Sequence, residues 1–441
     1  MLNPVLRHAR RISAAVLKRK HLSQPGCVHI MSSLTPAQFR SRFPICQRRI
    51  YVNSCSQGAL SIDVEAAMRE YAEAWHERGS PWELWVEKVD QLRARFAASI
   101  GADGDEIAVV ASASAGINAV ASALEFRGDG STAQAAGGPR SHVVLGEFEF
   151  PTMAQIWLAE RRRGAEIRWA RAAGDRLEIE AYERAIDERT LIVPATHVCF
   201  RNGHRTDIAA LTKAAHRHGA LVFVDDYQRT GSAPLDVHAL GVDFLVTGCL
   251  KYLIAAAGIA FLYVRRDLVE RLEPTFTGWF GRVNPFAFRI DEIDWPPAAT
   301  RFESGTPPVV NAYLAIAALD LLDRIGYENI GEHVARLVER FRSAAATAGF
   351  VVRTPRERER RGPLVVVQAV DAVALVSRLA ERGIITSSRG NGLRVSFHAY
   401  NDESDVDAVL EALEAESALL ERAASPSAGA AKSHGSAEAL K

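Results

Sequence analysis

The chain has 441 residues, enough for two sizeable domains at about 150 residues each, with 48% apolar and 24% charged side chains, the balance of a globular protein and not of a disordered, collagenous or membrane-embedded one. Lysine plus arginine equals aspartate plus glutamate at 53 each. That neutrality argues against nucleic acid or anionic lipid as the main partner, since both require a basic surface, and leaves a small molecule as the default substrate.

No acidic residue precedes Asp63, whereas Arg7, Arg10, Arg11, Lys18, Arg19 and Lys20 crowd the start. Such a stretch either mimics an organellar presequence or is an upstream extension before Met31. We adopt the second reading, with a cytoplasmic location. Residues 1–45 are then a basic, partly disordered extension, apart from a helix entry at Ser32-Ser33-Leu34-Thr35-Pro36. Five scattered cysteines (Cys27, Cys46, Cys55, Cys199, Cys249) show no C-x-x-C pairing, so a disulfide scaffold and a zinc ribbon drop out, and no metal site is expected.

Short unbroken apolar runs follow at 107–110, 143–145, 191–193, 221–224 and 244–246. Without polar alternation they fit strands buried on both faces of a parallel sheet. Helical stretches lie between them at 117–124, 153–163 and 208–218, the last entered through Thr206-Asp207 and closed by Gly219. The alternation predicts an α/β sheet with helices on both faces. Residues 128–140, polar and glycine-rich, read as a surface loop. The run from Leu253 to Val264 is too short to cross a bilayer. Residues 424–441, rich in Ala, Ser and Gly, read as a disordered tail.

Ligands of such sheets bind beyond the carboxyl ends of the strands, and three of those ends are unusual. Ala111-Ser112-Ala113-Ser114-Ala115-Gly116 opens a helix with small residues, which suits either a phosphate at the free amides or an ordinary N-cap. Asp225-Asp226-Tyr227-Gln228 puts a carboxylate at one strand end. Thr247-Gly248-Cys249-Leu250-Lys251 puts a lysine past the next. A phosphate cradle, an acid and a lysine are together what pyridoxal phosphate needs: a Schiff-base amine, a partner for the ring nitrogen and an anchor.

The blocks from Asp207 through Asp225 and Gln228 to Lys251, Phe302-Glu303-Ser304-Gly305-Thr306-Pro307, and Leu393-Arg394-Val395-Ser396 with Tyr400-Asn401 resemble the class V aminotransferase family of fold-type I pyridoxal-phosphate enzymes. This family includes cysteine desulfurases, kynureninases and isopenicillin-N epimerases. The resemblance implies a large domain at 61–311 with a mainly parallel, seven-stranded-type sheet. A smaller α/β domain would occupy 312–423, and the segment 46–60 would lie near the active site. It further implies that Lys251 forms the Schiff base and moves the substrate α-proton, and that Asp225 pairs with the pyridinium nitrogen. Gln228 would meet the ring's phenolic oxygen, Ala113 and Ser114 would hold the phosphate, and Phe150 would cover the ring unless it is an ordinary core phenylalanine. Arg394 would clamp the substrate carboxylate through a fork that lysine cannot reproduce, a surface arginine being the alternative. Asn53 would lie near the substrate. Family sites are built at a dimer interface, so a homodimer is implied, with Gly305, Thr306 and Trp279 serving the neighbouring subunit's phosphate.

Two departures narrow the activity. Leu250 replaces the polar or aromatic residue expected before the lysine, and the stretch 383–392 lacks the nucleophilic cysteine of desulfurases. Gly278-Trp279-Phe280-Gly281 and Lys251-Tyr252-Leu253 are similar to kynureninase segments. The expected activity is cleavage at Cβ or Cγ of a small amino acid, kynureninase-like or C–S-lyase-like. Transamination to a 2-oxo acid is the alternative, and a non-catalytic cofactor-binding homologue a minor one.

Overall fold

The computed structural model describes residues 33–126 and 140–423. The predicted loop at 128–140, apart from Arg140, the first 32 residues of the basic extension and the predicted tail at 424–441 lie outside the described residues. The rest of the extension is folded. Thr35 forms a capping box with Gln38 at the head of α1 (Pro36–Arg40), with proline in the first turn, where its missing N–H costs nothing. Phe39 and Phe43 are fully buried, the Phe43 ring meeting that of Tyr400 at a tilt with centres 4.8 Å apart. Arg40 makes a bidentate pair with the buried Asp405 at 2.7 and 3.0 Å. The chain then runs through β1 (Ile50–Tyr51), α2 (Ile62–Arg78) and α3 (Trp82–Ser99).

The central layer starts at β2 (Ile107–Val110), followed by α4 (Ala113–Ser122), β3 (His142–Gly146), α5 (Pro151–Ala159), β4 (Glu166–Ala170), β5 (Thr190–Thr196), α6 (Ile208–Arg217), β6 (Leu221–Asp225), β7 (Phe244–Gly248) and β8 (Ala260–Val264). Their order in the seven-stranded sheet is β2-β8-β7-β6-β5-β3-β4. Only β8 runs against its neighbours. All five strands expected from the apolar runs are present. They carry no polar residue toward solvent because helices cover both faces, with one apolar core on each side.

Beyond the sheet come α7 (Val309–Ile325), α8 (Tyr327–Thr347), β9 (Leu364–Gln368), α9 (Ala372–Glu381), β10 (Ile384–Ile385), β11 (Ser387–Arg389), β12 (Gly392–Ser396) and α10 (Glu403–Ala415). Helix α7 runs through the boundary expected at 311/312 and packs along α2 and α3. The last strands form an antiparallel sheet, β11-β12-β9, while β10 pairs with β1 from the other end of the chain. The segment after β1 therefore lies between the two sheets. Among the described residues no helix is long and apolar enough to cross a membrane.

Because Phe39 sits in a fully packed seam, Phe39→Ala should destabilise the fold by about 3–5 kcal/mol, read from the urea midpoint at unchanged m-value.

Candidate active site

Strands β6 and β7 are in register, Asp225 opposite Val246, so their carboxyl ends open side by side. Lys251 follows β7 by three residues. Its amine lies 4.5 Å from the centre of the Tyr227 ring and 5.8 Å from that of Phe150. Gly248 makes this possible, since a Cβ there would fall 2.1 Å from the Tyr227 hydroxyl oxygen. Burial pushes the Lys251 amine down to about 8, against the pull of Asp225. Burial also raises the Asp225 carboxyl, opposed by the Tyr227 amide that donates to it at 3.0 Å and by the charge of Lys251. The two side chains make no direct ion pair, yet both line one cavity of about 280 Å³.

Ala113 and Ser114 line the same cavity from the first turn of α4. The Ser112 hydroxyl caps the helix by accepting from the Ala115 amide at 3.1 Å. The N-cap expectation is therefore realised, at Ser112, while first-turn amides at Ala113 and Ser114 have no acceptor within the helix. Phe150 stands at the N-cap of α5, 39% exposed, with its ring edge-to-face against Phe200 at 5.1 Å. That exposure rules out an ordinary core phenylalanine. Gln228 donates through Nε2 to the Cys55 carbonyl at 3.0 Å, and its Oε1 is buried with no partner.

Arg394 lies mid-strand in β12 and is 1% exposed, so it is no surface arginine. It donates to the carbonyl of Phe200, which lines the cavity, at 3.3 Å and to the Ser387 hydroxyl at 2.9 Å, and its Nε has no partner. Asn53 bridges to Ser396 with its Oδ1 buried and unpaired. Arg394 and Asn53 stand behind the cavity wall, and three further expected residues lie well away from it within one chain. Trp279 packs among Trp82, Phe280, Phe286 and Phe288, and Gly305 and Thr306 are exposed beside it, the two segments being joined by the Phe280 amide on the Ser304 carbonyl.

Several residues here had no expected role. Tyr227 and Phe200 line the cavity, as do Thr152 and Thr196. Cys55 offers its carbonyl to Gln228 and its amide to Ser396, with its thiol 3.9 Å from Ser387. Glu149 is buried beneath Thr196, whose amide it accepts at 2.9 Å, and its other oxygen has no partner. Burial pushes its carboxyl up to about 8, the Thr196 bond opposing and the charge of Asp225 adding. Tyr227 carried a signal in its place within the Asp-Asp-Tyr-Gln stretch, and Cys55 falls within the segment 46–60 expected near the site.

The family model described as Aminotransferase class-V matches residues 63–409. The chain belongs to this family. An uncharacterized aminotransferase of Bacillus subtilis, YcbU, is 33% identical over 84% of this chain and 95% of its own. A kynureninase of Pseudomonas fluorescens is 27% identical over 82% of this chain and 87% of its own. The solved apo structure of a cysteine desulfurase from Thermococcus onnurineus superposes with a TM-score of 0.76 at 22% identity, covering 88% of this chain and 99% of that one. The fold is thus that of the fold-type I class V enzymes, whose cofactor is pyridoxal phosphate. The cavity fits that group. It is near the lower end of small-ligand pockets, roughly 300 Å³, and it offers unpaired first-turn amides, an orphaned amide oxygen, a buried acid and a lysine with a depressed pKa.

The buried titrations give opposite slopes to the stability of the cofactor-free protein. Glu149 stays protonated in the fold while an unfolded chain ionises at its ordinary 4.5, so stability falls as pH rises from 4.5 to 8. Lys251 loses its proton at about 8 in the fold and at 10.5 when unfolded, so its contribution rises across that upper window. Chemical denaturation across pH should show the first slope removed by Glu149→Gln and the second by Lys251→Met.

Proposed function

We propose that this class V enzyme acts on a small amino acid, breaking a bond to Cβ or Cγ, with Lys251 and Asp225 as its catalytic residues. The observation that carries the reading is the meeting of Lys251, Asp225 and the α4 N-terminus in one cavity, with the buried Arg394 bonded to its wall. Ala113 and Ser114 would hold the cofactor phosphate and Asp225 the ring nitrogen. Phe150 would cover one ring face, and Gln228 would meet the phenolic oxygen, its Oε1 being the atom left open. Bound there, pyridoxal phosphate supplies an electron sink for the pair released at the substrate's Cα.

The protein's own groups supply the rest. Arg394 receives the substrate carboxylate on a guanidinium fixed by Phe200 and Ser387, which orients the bond to be broken. Lys251, with an amine near 8, takes up and returns a proton at Nζ near neutral pH. Asp225, held by the Tyr227 amide and drawn back toward its charged form by Lys251, would pair with the ring nitrogen. Asn53 stands beside the same strand as Arg394 and would meet the substrate. Leu250 and Phe200 line the cavity with apolar surface and exclude water. The stretch 383–392 is taken up by β10, β11 and the short turn at Gly390-Asn391, leaving no cysteine-bearing loop for a desulfurase mechanism.

The second reading, transfer of the amino group to a 2-oxo acid, is favoured by the 33% identity to an aminotransferase. Release of ammonia or sulfide without an acceptor would establish cleavage, and conversion of a 2-oxo acid into an amino acid would establish transfer. A homodimer belongs to the same proposal. Trp279, Gly305 and Thr306 stand apart from the cavity, amid exposed Val283, Phe288, Ile290 and Ile293, a patch that a second copy would cover while bringing these residues to its neighbour's phosphate.

Purified protein should absorb in the visible when given pyridoxal phosphate, and Lys251→Ala should lose both that band and turnover across an amino-acid panel; a wild-type protein that stays colourless would end the reading. Arg394→Lys should raise KM on the order of tenfold or more while leaving cofactor absorbance intact, because charge-assisted fork contacts contribute about 1.5–3 kcal/mol.

A further inference from the structure

A second cavity, of about 610 Å³, shares no lining residue with the first. It opens at the seam where the chain from Arg229 to Pro234 meets α8 and the segment around Arg361. Gly331 of α8 packs on Ala233 and Pro234, and the Arg205 amide donates to the Arg360 carbonyl at 2.8 Å. Arg205 and Arg229 form its inner wall, both half-buried. Arg229 spends Nη2 on the Pro234 carbonyl at 2.6 Å, but its Nη1 is buried with no partner. Among the described residues, no carboxylate lies within ion-pair distance of either guanidinium. The nearest buried acid, Asp226, is already taken by His197 at 2.5 Å and by the Thr230 hydroxyl. Burial and the charge of Arg229 together hold the Arg205 guanidinium below its ordinary value.

Asp207, Glu359 and Asp226 offset part of this charge, but none of them pairs with either guanidinium. Arg361 is buried but paired with Glu339. Arg358, Glu328, Glu332 and Glu359 stand at the exposed rim, where solvent and salt screen them. Two guanidiniums facing one cavity with no carboxylate paired to either are unfavourable unless an anion joins them. Their planar forks match the paired oxygens of a phosphate or carboxylate.

We propose that this cavity binds a small oxyanion, a phosphate ester or a carboxylate, between Arg205 and Arg229. The volume leaves room for an organic body behind the anionic group. The site is separate from the cofactor's phosphate anchor at α4.

The test uses the cofactor-loaded enzyme, so that the first cavity's anchor is already filled. Inorganic phosphate and succinate are titrated separately at ionic strength fixed with chloride, with calorimetry and thermal midpoint as readouts. Saturable binding of either, with a rising midpoint, is expected in the wild type; binding of phosphate alone points to a phosphate ester, and of succinate alone to a carboxylate. Arg229→Ala and Arg205→Ala should weaken it at least tenfold. Arg229→Lys, which keeps the charge and the fold but not the fork, should weaken it as well. Arg358→Ala, at the rim, should leave it unchanged. Absence of saturable binding by both probes, or equal affinity in the wild type and the Arg205 and Arg229 variants, overturns the proposal.

Discussion

Strands β6 and β7 end together, and the chain beyond each turns into the same space, which sets an acid and an amine facing one cavity without touching. Each is driven toward its neutral form by burial, and each is drawn back by the charge of the other. A direct ion pair would have relieved both and closed the gap. Keeping them apart costs stability and leaves room for a flat group between them. The parallel sheet imposes this, since strand register fixes where Asp225 and Lys251 emerge before any side-chain preference acts. Tyr227 and Gly248 complete the arrangement, the ring lying against the glycine backbone and the lysine amine above the ring.

Much of this layer was legible in the sequence. Buried parallel strands are unbroken apolar runs, and five were read as such. The edge strand β4 escaped because Glu166, Ile167 and Arg168 alternate polar and apolar side chains, the pattern of a half-solvated edge. Strand β8 lay inside a recognised apolar run, but its reversed direction depends on the loop after Lys251 and has no compositional mark. The arginine-rich start concealed Phe39 and Phe43, because composition averages over a segment while two aromatic side chains suffice to anchor it.

At the site, residues with chemistry of their own were readable and residues acting through the backbone were not. Lys251 and Asp225 stand out because their charged groups sit at strand ends, and Arg394 because its Leu-Arg-Val-Ser context resembles a family signature. Cys55 holds Gln228 with a carbonyl oxygen, which any residue type would supply, across 173 positions of chain. Ser387 was equally silent, a small polar residue whose importance lies in the guanidinium it meets. Trp279, Gly305 and Thr306 carry recognisable motifs, yet one chain cannot bring them to the cavity it forms.

The segment from Tyr51 to Gly58 ties these parts together. Strand β1 pairs with β10, the Ser396 amide donates to the Val52 carbonyl, and the Cys55 amide donates to the Ser396 hydroxyl, so this stretch is an added edge of the C-terminal unit. Its far side belongs to the large sheet. Cys55 binds Gln228, and Gly58 donates to the Leu250 carbonyl at 2.7 Å, where a Cβ would fall 2.3 Å from the Lys251 carbonyl oxygen. The same stretch thus links Gln228 and the lysine-bearing loop to the strand of Arg394, which lies two residues from Ser396. The strand that carries Arg394 and the loop that carries Lys251 are joined through a strap of eight residues that contributes mostly backbone.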